Sequence, residues 1–350
     1  MIPPAILSAT PTRMSLGSDS TNLDFLRATA VLLVLVSHVL FATYGQPCDW
    51  IAKPMGRIGV LFFFVHTCTV LMLSLERRPD TVRFYVRRFF RIYPLSVFAV
   101  LVYAAFQIPN TGWLLNEYPK ISGKDILANL LLVQNLTLSK DVLSVLWSLP
   151  LEIQMYVVLP LLYRFRKISI ELLWIGSAAL AAIWPFMGRI PHTGFARLTV
   201  VSFVPCFLPG VLAYRHSKFA QRKLPAYLWM PFVLAVTAAF CWQPSEYSGW
   251  AACLSLGYAI PRFQELQANR IAHSIAKYSY GIYLGHLFCL YLGFVYLHSQ
   301  PFAIRCAVSL LSVIIVPPLL YHCIEEPMIR LGSRLTGSKA KASQAVAAHA

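Results

Sequence analysis

Charged residues are scarce in this sequence: Asp, Glu, Lys and Arg together make up 13% of its 350 residues. A water-soluble domain carries about a quarter charged residues, so the composition excludes an ordinary soluble protein. Apolar residues instead make up 57% of the chain, and the mean hydropathy is +0.61. Repeated apolar runs of about 20 residues indicate membrane-spanning helices, since that length crosses a hydrocarbon core of about 30 Å.

The sequence also lacks paired cysteines and has few acidic residues. Its eight cysteines are scattered, mostly inside apolar runs, with no CxxC pair and no metal-ligand spacing. This pattern is typical of small buried side chains and predicts neither a disulfide framework nor a metal site. The 14 acidic residues leave a net charge of +16. No nucleic-acid motif accompanies that charge, so we expect no nucleic-acid partner.

The apolar runs predict an all-α bundle of about ten transmembrane helices in the lipid bilayer. They fill one membrane domain, residues 21–330, between disordered cytoplasmic tails at 1–20 and 331–350. Residues 124–138 are amphipathic enough to lie at the membrane interface or to re-enter the bilayer. The runs lie near 26–43, 57–75, 93–108, 142–163, 168–187, 197–214, 224–242, 248–260, 274–297 and 303–324.

The basic residues are distributed unevenly between alternate loops of this bundle. Most of the 30 fall on one side, among them the arginines of residues 77–91. The positive-inside rule then predicts that both termini face the cytoplasm, which for a bacterium means the inner membrane.

The first span, LDFLRATAVLLVLVSHV, carries Arg27 and His38. They are eleven residues apart, close to three helical turns, and therefore share one face about 16 Å apart along the axis. Asp24 lies one turn before Arg27 and is positioned to pair with it. Each residue alone fits a snorkelling arginine or an interhelical histidine, but together on one face they favour a shared site.

Ionisable residues stand out in three other spans, and each costs about 2.5–3.5 kcal/mol at mid-membrane. Glu152 is the lone acid in WSLPLEIQMYVVLP; it marks a site, or else is a buried structural carboxyl or an arginine partner. His286 shares a face with Tyr283 in SYGIYLGHL, and His66 lies in VLFFFVHTC. For both histidines, interhelical packing is an equally good interpretation.

The segment FYVRRFFRIYP after the second span interleaves Arg87, Arg88 and Arg91 with aromatic residues that include Tyr93. Topology explains positive charge here but not the choice of arginine over lysine. Arginine binds phosphate bidentately and stacks on aromatic rings, so the segment favours a phosphorylated donor. Attraction to anionic lipid is the competing interpretation.

These segments, in this order, resemble the acyltransferase-3 family of integral membrane enzymes over residues 21–330. The match rests on the Arg and His of the opening helix, FYVRRFFRIYP, WSLPLEIQMYVVLP, SYGIYLGH and the closing IEEPMIR. One stretch departs from the family: GRIGVLFFFVHTC has Val65, His66 and Thr67 where the family usually has Ser-Gly-Phe.

The resemblance implies a ten-helix enzyme that moves an acyl group, acetyl by expectation, from acyl-CoA to a hydroxyl of a cell-envelope or lipid-linked carbohydrate. His38 would be the general base or a transient acyl carrier, and Glu152 would orient an imidazole or relay the proton. Donor binding would fall to Arg27, Arg87, Arg88, Arg91 and Tyr93, with support from Asp24, His66, Tyr283 and His286. No metal or permanently bound cofactor is implied.

Two other functions stay open at this stage. In a proton-coupled exporter, Glu152, His38 and His286 would form a proton relay, although no two similar halves are visible in the sequence. A degenerate family member would act as a structural partner in envelope assembly. The acceptor, the acyl chain length and the oligomeric state have no sequence signal.

Overall fold

The computed structural model describes residues 20–108, 121–165, 167–187 and 200–337. Within these ranges the chain forms thirteen α-helices and no β-strand, which confirms the predicted all-α fold. The helices are α1 (Thr21–Tyr44), α2 (Asp49–Arg77), α3 (Thr81–Ala105), α4 (Gly123–Leu130), α5 (Gln134–Thr137), α6 (Ser148–Arg164), α7 (Ile170–Met187), α8 (Val200–His216), α9 (Trp229–Trp242), α10 (Glu246–Ala259), α11 (Arg270–Leu290), α12 (Phe302–Leu320) and α13 (Glu326–Leu335).

Each of the ten apolar runs coincides with a helix of the described chain. Helices α7, α8 and α9 are apolar but shorter than a full span. The chain is an integral membrane protein, while the count of ten spans stays a prediction. Six segments are long and apolar enough to cross a membrane: Thr21–Tyr44, Gln46–Arg77, Thr81–Ala105, Ser144–Arg164, Arg270–Tyr296 and Phe302–Leu335.

Helices α1, α3 and α11 begin at one end of the bundle, which we call the proximal end. Asp24 in α1 is hydrogen-bonded to His273 in α11, 2.8 Å apart. Tyr85 near the start of α3 donates to the carbonyl of Val157, in the second half of α6. The opposite end, where α1 ends and α2 begins, is called distal.

Glycines allow the central helices to approach closely. A Cβ on Gly210 of α8 would lie 2.3 Å from the carbonyl oxygen of Val65, and a Cβ on Gly59 of α2 would lie 2.6 Å from that of Ala30. Because lipid tails are as apolar as leucine, membrane helices associate through such close backbone contacts. Helix α2 is mostly buried as a result.

Residues 121–147 fold back against α3. Helix α4 starts at a capping box formed by Ser122 and Asp125. The chain then reverses at Leu132, whose φ of 54° is left-handed. Tyr93, halfway along α3, donates to the carbonyl of Leu131 at 3.2 Å. The segment therefore packs against the middle of α3, at the start of its apolar run.

Glu265, in the loop between α10 and α11, caps the start of α1. Its carboxylate accepts hydrogen bonds from Ser20 Oγ (2.7 Å), Thr21 Oγ1 (3.0 Å), Asn22 N (3.1 Å) and Arg222 Nη1 (2.5 Å). Burial by itself would raise the pKa of Glu265, but these hydrogen bonds and the Arg222 charge hold that pKa below its usual range. The ionised carboxylate therefore links the loop to the start of α1 by hydrogen bonds.

Helix α12 ends in a π-helical turn, Tyr321–Glu325, that follows Pro317 and Pro318. Such turns re-aim a side chain and often lie at functional sites. This one directs Glu325 into the bundle, where its side chain has no solvent exposure.

Helix α13 continues to Leu335. Residues 331–335 are therefore helical, and the predicted boundary of a disordered tail at 330 is wrong. Residues 338–350 of that tail, and the N-terminal tail before Ser20, lie outside the described residues.

Candidate active site

A cavity lies between α1, α2, α3, α6 and α11. Its volume is about 100 Å³, several times the ~15 Å³ that one water molecule needs. Three guanidinium groups, a carboxylate and several hydroxyl groups project from otherwise apolar walls. The lining residues are Arg27, Val60, Phe63, Phe64, His66, Thr67, Val70, Leu71, Arg88, Arg91, Ile92, Ser148, Leu149, Glu152, Tyr156, Ser279, Tyr280 and Tyr283.

Arg27 connects α1 to α11 inside this cavity. Its Nε donates to Ser279 Oγ at 2.6 Å. The sequence positions Asp24 to pair with Arg27, but Asp24 is bonded to His273 instead. Asp24 lies one turn closer to the proximal end, where it meets the first turn of α11, so the Arg27 guanidinium is left to the cavity.

The three arginines of FYVRRFFRIYP have three different surroundings. Arg88 and Arg91 lie one turn apart on one face of α3 and both line the cavity. Arg91 Nη1 lies 3.0 Å from Glu325 Oε2, an ion pair. Arg88 Nε is buried and has no hydrogen-bond partner among the described residues. Arg87 points to α13, where its Nε donates to Thr336 Oγ1 at 3.1 Å.

Tyr93 also faces away from the cavity. Its hydroxyl is bonded to the segment of residues 121–147, and its ring stacks on Phe89 with 4.7 Å between centroids. The spacing explains this, because Arg87 and Tyr93 are each turned by about 100° or more around α3 from Arg88. The structure therefore brings Arg88 and Arg91 to the cavity and leaves Arg87 and Tyr93 outside its lining.

Glu152 is surrounded by donors and by positive charge. Tyr156 donates a hydrogen bond to its Oε1, and Thr67 gives a second one. It interacts electrostatically with Arg27 and Arg88. In this geometry Glu152 acts as a counter-charge to the arginines, and the described contacts connect it to neither His38 nor His286.

The stretch that departs from the family pattern contributes directly to the cavity. His66 and Thr67 both line it, and His66 is 5% exposed. Helix α2 thus presents a hydrogen-bonding wall to Glu152 where the family usually has Ser-Gly-Phe.

His38 and His286 lie outside the cavity lining, on the far side of Tyr283. Their ring centroids are 4.9 Å apart at an interplanar angle of 69°. Tyr283 lines the cavity, and its ring centroid is 6.4 Å from that of His286. The Tyr283 hydroxyl is fixed by Val145 O and Ser148 Oγ, both at 2.8 Å. Tyr283 therefore separates the arginine cavity from the pair of imidazoles.

Three further residues of the site, Glu325, Tyr156 and Ser279, have no role predicted from the sequence. The sequence signal of Glu325 is an acidic residue at the end of an apolar run, within IEEPMIR. Ser279 and Tyr156 lie one turn from residues that were singled out, Tyr283 and Glu152, at a spacing that puts them on the same helix faces. In the described part of the chain, no three His, Cys, Asp or Glu side chains come together as a metal site would require.

Comparison with known proteins relates the sequence of this chain to acyltransferases. The profile of the acyltransferase-3 family, described as an acyltransferase domain, matches residues 20–321. A peptidoglycan O-acetyltransferase of Listeria monocytogenes is 26% identical over 89% of this chain and 56% of its own length. Nodulation protein 10 of Rhizobium leguminosarum is 25% identical over 80% of this chain and 86% of its own.

Partial alignments extend the likeness. An O-acetyl transferase of Shigella phage Sf6 is 29% identical over 40% of this chain and 44% of its own length. The chain thus spans only about half of the peptidoglycan O-acetyltransferase and of the phage protein. No solved structure matches it.

Proposed function

This chain belongs to the acyltransferase-3 family, and we propose that it transfers an acyl group, acetyl in the simplest case, from acyl-CoA to a hydroxyl of a cell-envelope or secreted carbohydrate. The alternation of basic loops supports a donor that arrives from the cytoplasm at the proximal end, with both termini on that side of a bacterial inner membrane. The names of the relatives, one of which acts on peptidoglycan, support a carbohydrate acceptor.

The observation that carries the proposal is the unequal charge of the cavity. Three guanidinium groups, Arg27, Arg88 and Arg91, meet only two carboxylates, Glu152 and Glu325. A buried positive charge without a counter-ion is unfavourable by several kcal/mol, so the cavity favours an anionic ligand. A phosphorylated thioester donor supplies that charge, and Arg88, whose Nε has no partner, is the side chain with free donors to bind it.

His38 supplies the base. Its Nδ1 lies 2.8 Å from the carbonyl of Val34. A carbonyl oxygen only accepts, so Nδ1 carries the proton and Nε2 of the neutral ring keeps a lone pair. His38 is half-buried, which leaves Nε2 accessible to an acceptor from the distal end.

The reaction then needs one proton transfer in each direction. His38 Nε2 takes the proton of the acceptor hydroxyl while the oxygen attacks the thioester carbon. The C–S bond breaks, the departing thiolate takes the proton back from His38, and ester and free CoA leave. Because Tyr283 stands between the arginines and His38, the acyl end of the donor must pass this side chain while the phosphates stay with the arginines.

The test is acetyl transfer from [14C]acetyl-CoA to isolated envelope polysaccharide by the detergent-purified protein. General-base catalysis contributes about 10²–10⁴-fold, so His38→Ala should lower kcat by that amount at unchanged abundance. His298→Ala, at an exposed histidine that also bonds a carbonyl, is the matched control and should keep full activity.

The rival functions give different results in this assay. Neither a proton-coupled exporter nor a structural family member would transfer acetyl to the polysaccharide. Full activity in His38→Ala would refute the mechanism while leaving acyl transfer itself in place.

A further inference from the structure

The imidazole pair contains a buried acceptor that the reaction above does not use. His286 has no solvent exposure. Its Nδ1 lies 2.9 Å from the carbonyl of Ile282, so this ring, too, carries its proton on Nδ1 when neutral. Its Nε2 is buried and has no hydrogen-bond partner among the described residues. A buried acceptor without a partner is unfavourable by about 1–3 kcal/mol and calls for an explanation.

The neighbour that can supply a proton to this nitrogen is His38. The two rings come from α1 and α11, and their centroids lie 4.9 Å apart with the edge of one ring against the face of the other, so the rings are in direct contact. While both rings are neutral, each Nε2 carries a lone pair and no proton, so no hydrogen bond forms between the two nitrogens. Once His38 takes a proton on Nε2, it becomes a donor in contact with the ring whose Nε2 has no partner among the described residues.

His38 also lacks the partner that a catalytic histidine usually has. In serine hydrolases a buried carboxylate accepts from Nδ1 and stabilises the imidazolium that forms. Here the Val34 carbonyl occupies Nδ1, and Glu152 is committed to Tyr156, Thr67 and the arginines. The positive charge on His38 therefore needs another source of stabilisation.

We propose that His286 is a positioning residue for His38 and that its Nε2 shares the proton that His38 takes from the acceptor hydroxyl. This proposal rests on the proposed function. The acceptor O–H bond breaks, the proton lies between the two Nε2 atoms, and it returns through His38 to the thiolate released by the C–S bond. His286 ends each cycle neutral. Since His286 is fully buried and His38 only half-buried, His38 meets the substrate and His286 acts from behind it.

Two substitutions separate this role from packing. His286→Phe keeps a flat ring and removes both nitrogens, while His286→Gln keeps an oxygen that can accept the proton of His38. Acetyl transfer from [14C]acetyl-CoA to envelope polysaccharide is measured with the full-length protein in membranes, together with the KM for acetyl-CoA. His298→Phe, at the exposed histidine beyond α11, is the matched control.

The proposal predicts a change in kcat alone. His286→Phe should lower kcat roughly tenfold or more, as a fraction of what a general base contributes, with the KM for acetyl-CoA within about twofold of wild type. His286→Gln should recover much of the loss. In a His38→Ala background, His286→Phe should have no further effect, because the residue acts through His38.

Three results would overturn it. A wild-type kcat in His286→Phe would mean that the lone pair of His286 Nε2 makes no contribution to catalysis. A raised KM or a loss of folded protein, with equal effects of Gln and Phe, would assign His286 to packing. Absence of acetyl transfer in the wild type would refute the proposed function, and the pair with it; that result is distinguishable because it precedes any substitution.

Discussion

Replacing Arg88 by lysine separates phosphate recognition from simple positive charge. Arg88 lines the cavity, its Nε has no partner among the described residues, and it interacts electrostatically with Tyr156 and Glu152. Lysine keeps the positive charge and hence the topology signal, but it loses the planar fork that binds phosphate through two N–H groups. Donor affinity should therefore fall while abundance and orientation stay the same.

The size of the effect follows from the contact that is lost. One hydrogen bond to a charged group contributes about 1.5–3 kcal/mol, and each 1.4 kcal/mol is a factor of about ten. The KM for acetyl-CoA should therefore rise roughly tenfold to a hundredfold in Arg88→Lys. Arg91 contacts Glu325 through a single nitrogen at 3.0 Å, which an ammonium group can replace, so Arg91→Lys should change the KM only a few-fold.

The assay is steady-state kinetics in purified protein, with equilibrium binding of acetyl-CoA as an independent check. Arg83→Lys is the matched control: it lies on the same helix, is exposed, and pairs with Asp80. If Arg88→Lys keeps wild-type affinity, the arginines only anchor α3 or attract anionic lipid, and the charge argument for the donor is refuted.

Three further predictions concern stability, pH and orientation. Gly210→Ala places a methyl group against the backbone of α2 and should destabilise the protein by about 1–3 kcal/mol, whereas Gly176→Ala, with nothing within 4 Å, should not; thermal unfolding of the detergent-solubilised protein compares them, and equal melting temperatures would refute the packing argument. Glu265→Gln should lower stability at neutral pH by about 1–3 kcal/mol. Because folding lowers the pKa of Glu265, its contribution is complete above the unfolded value of about 4.3 and is lost as pH falls through the folded value, so wild type and variant should converge in acid; a pH-independent difference would contradict this. Cysteines placed at Pro79 and Pro244 should react with an impermeant thiol reagent only at position 244 when it is added outside intact cells, and labelling at 79 would overturn the topology.

The helices could be predicted because each membrane-spanning segment must satisfy its own backbone hydrogen bonds in lipid. That requirement makes apolar length a local signal, and every predicted run coincides with a helix. The signal of apolar length does not cover residues 331–335, because the last helix is amphipathic and is held by packing. A Cβ on Gly332 would lie 2.8 Å from the Cβ of Phe90. Hydropathy has no means of reporting that contact.

The cavity residues could be found from three local signals. Glu152 is expensive in a bilayer, Arg27 shares a helix face with His38, and Arg88 lies in a segment that interleaves arginine with aromatic residues; all three line the cavity. Their partners could not be found. Periodicity orders the faces of one helix but does not say which helix each face meets, so the Asp24–His273 and Arg91–Glu325 pairs had no sequence signal.

Periodicity does not say which element each helix face meets, and this is why three neighbouring arginines of α3 have three different surroundings. On α3 the angle of each residue is fixed by its position, but the identity of what it meets is fixed by α13, by the π-helical turn after α12 and by the cavity. Arg87 meets a hydroxyl and Arg91 a carboxylate. Arg88 faces the cavity with its Nε unpartnered, and a buried donor without a hydrogen-bond partner is unfavourable in a folded protein. A ligand that carries negative charge removes that penalty when it binds, so the residue that destabilises the empty protein is the one best placed to hold the donor.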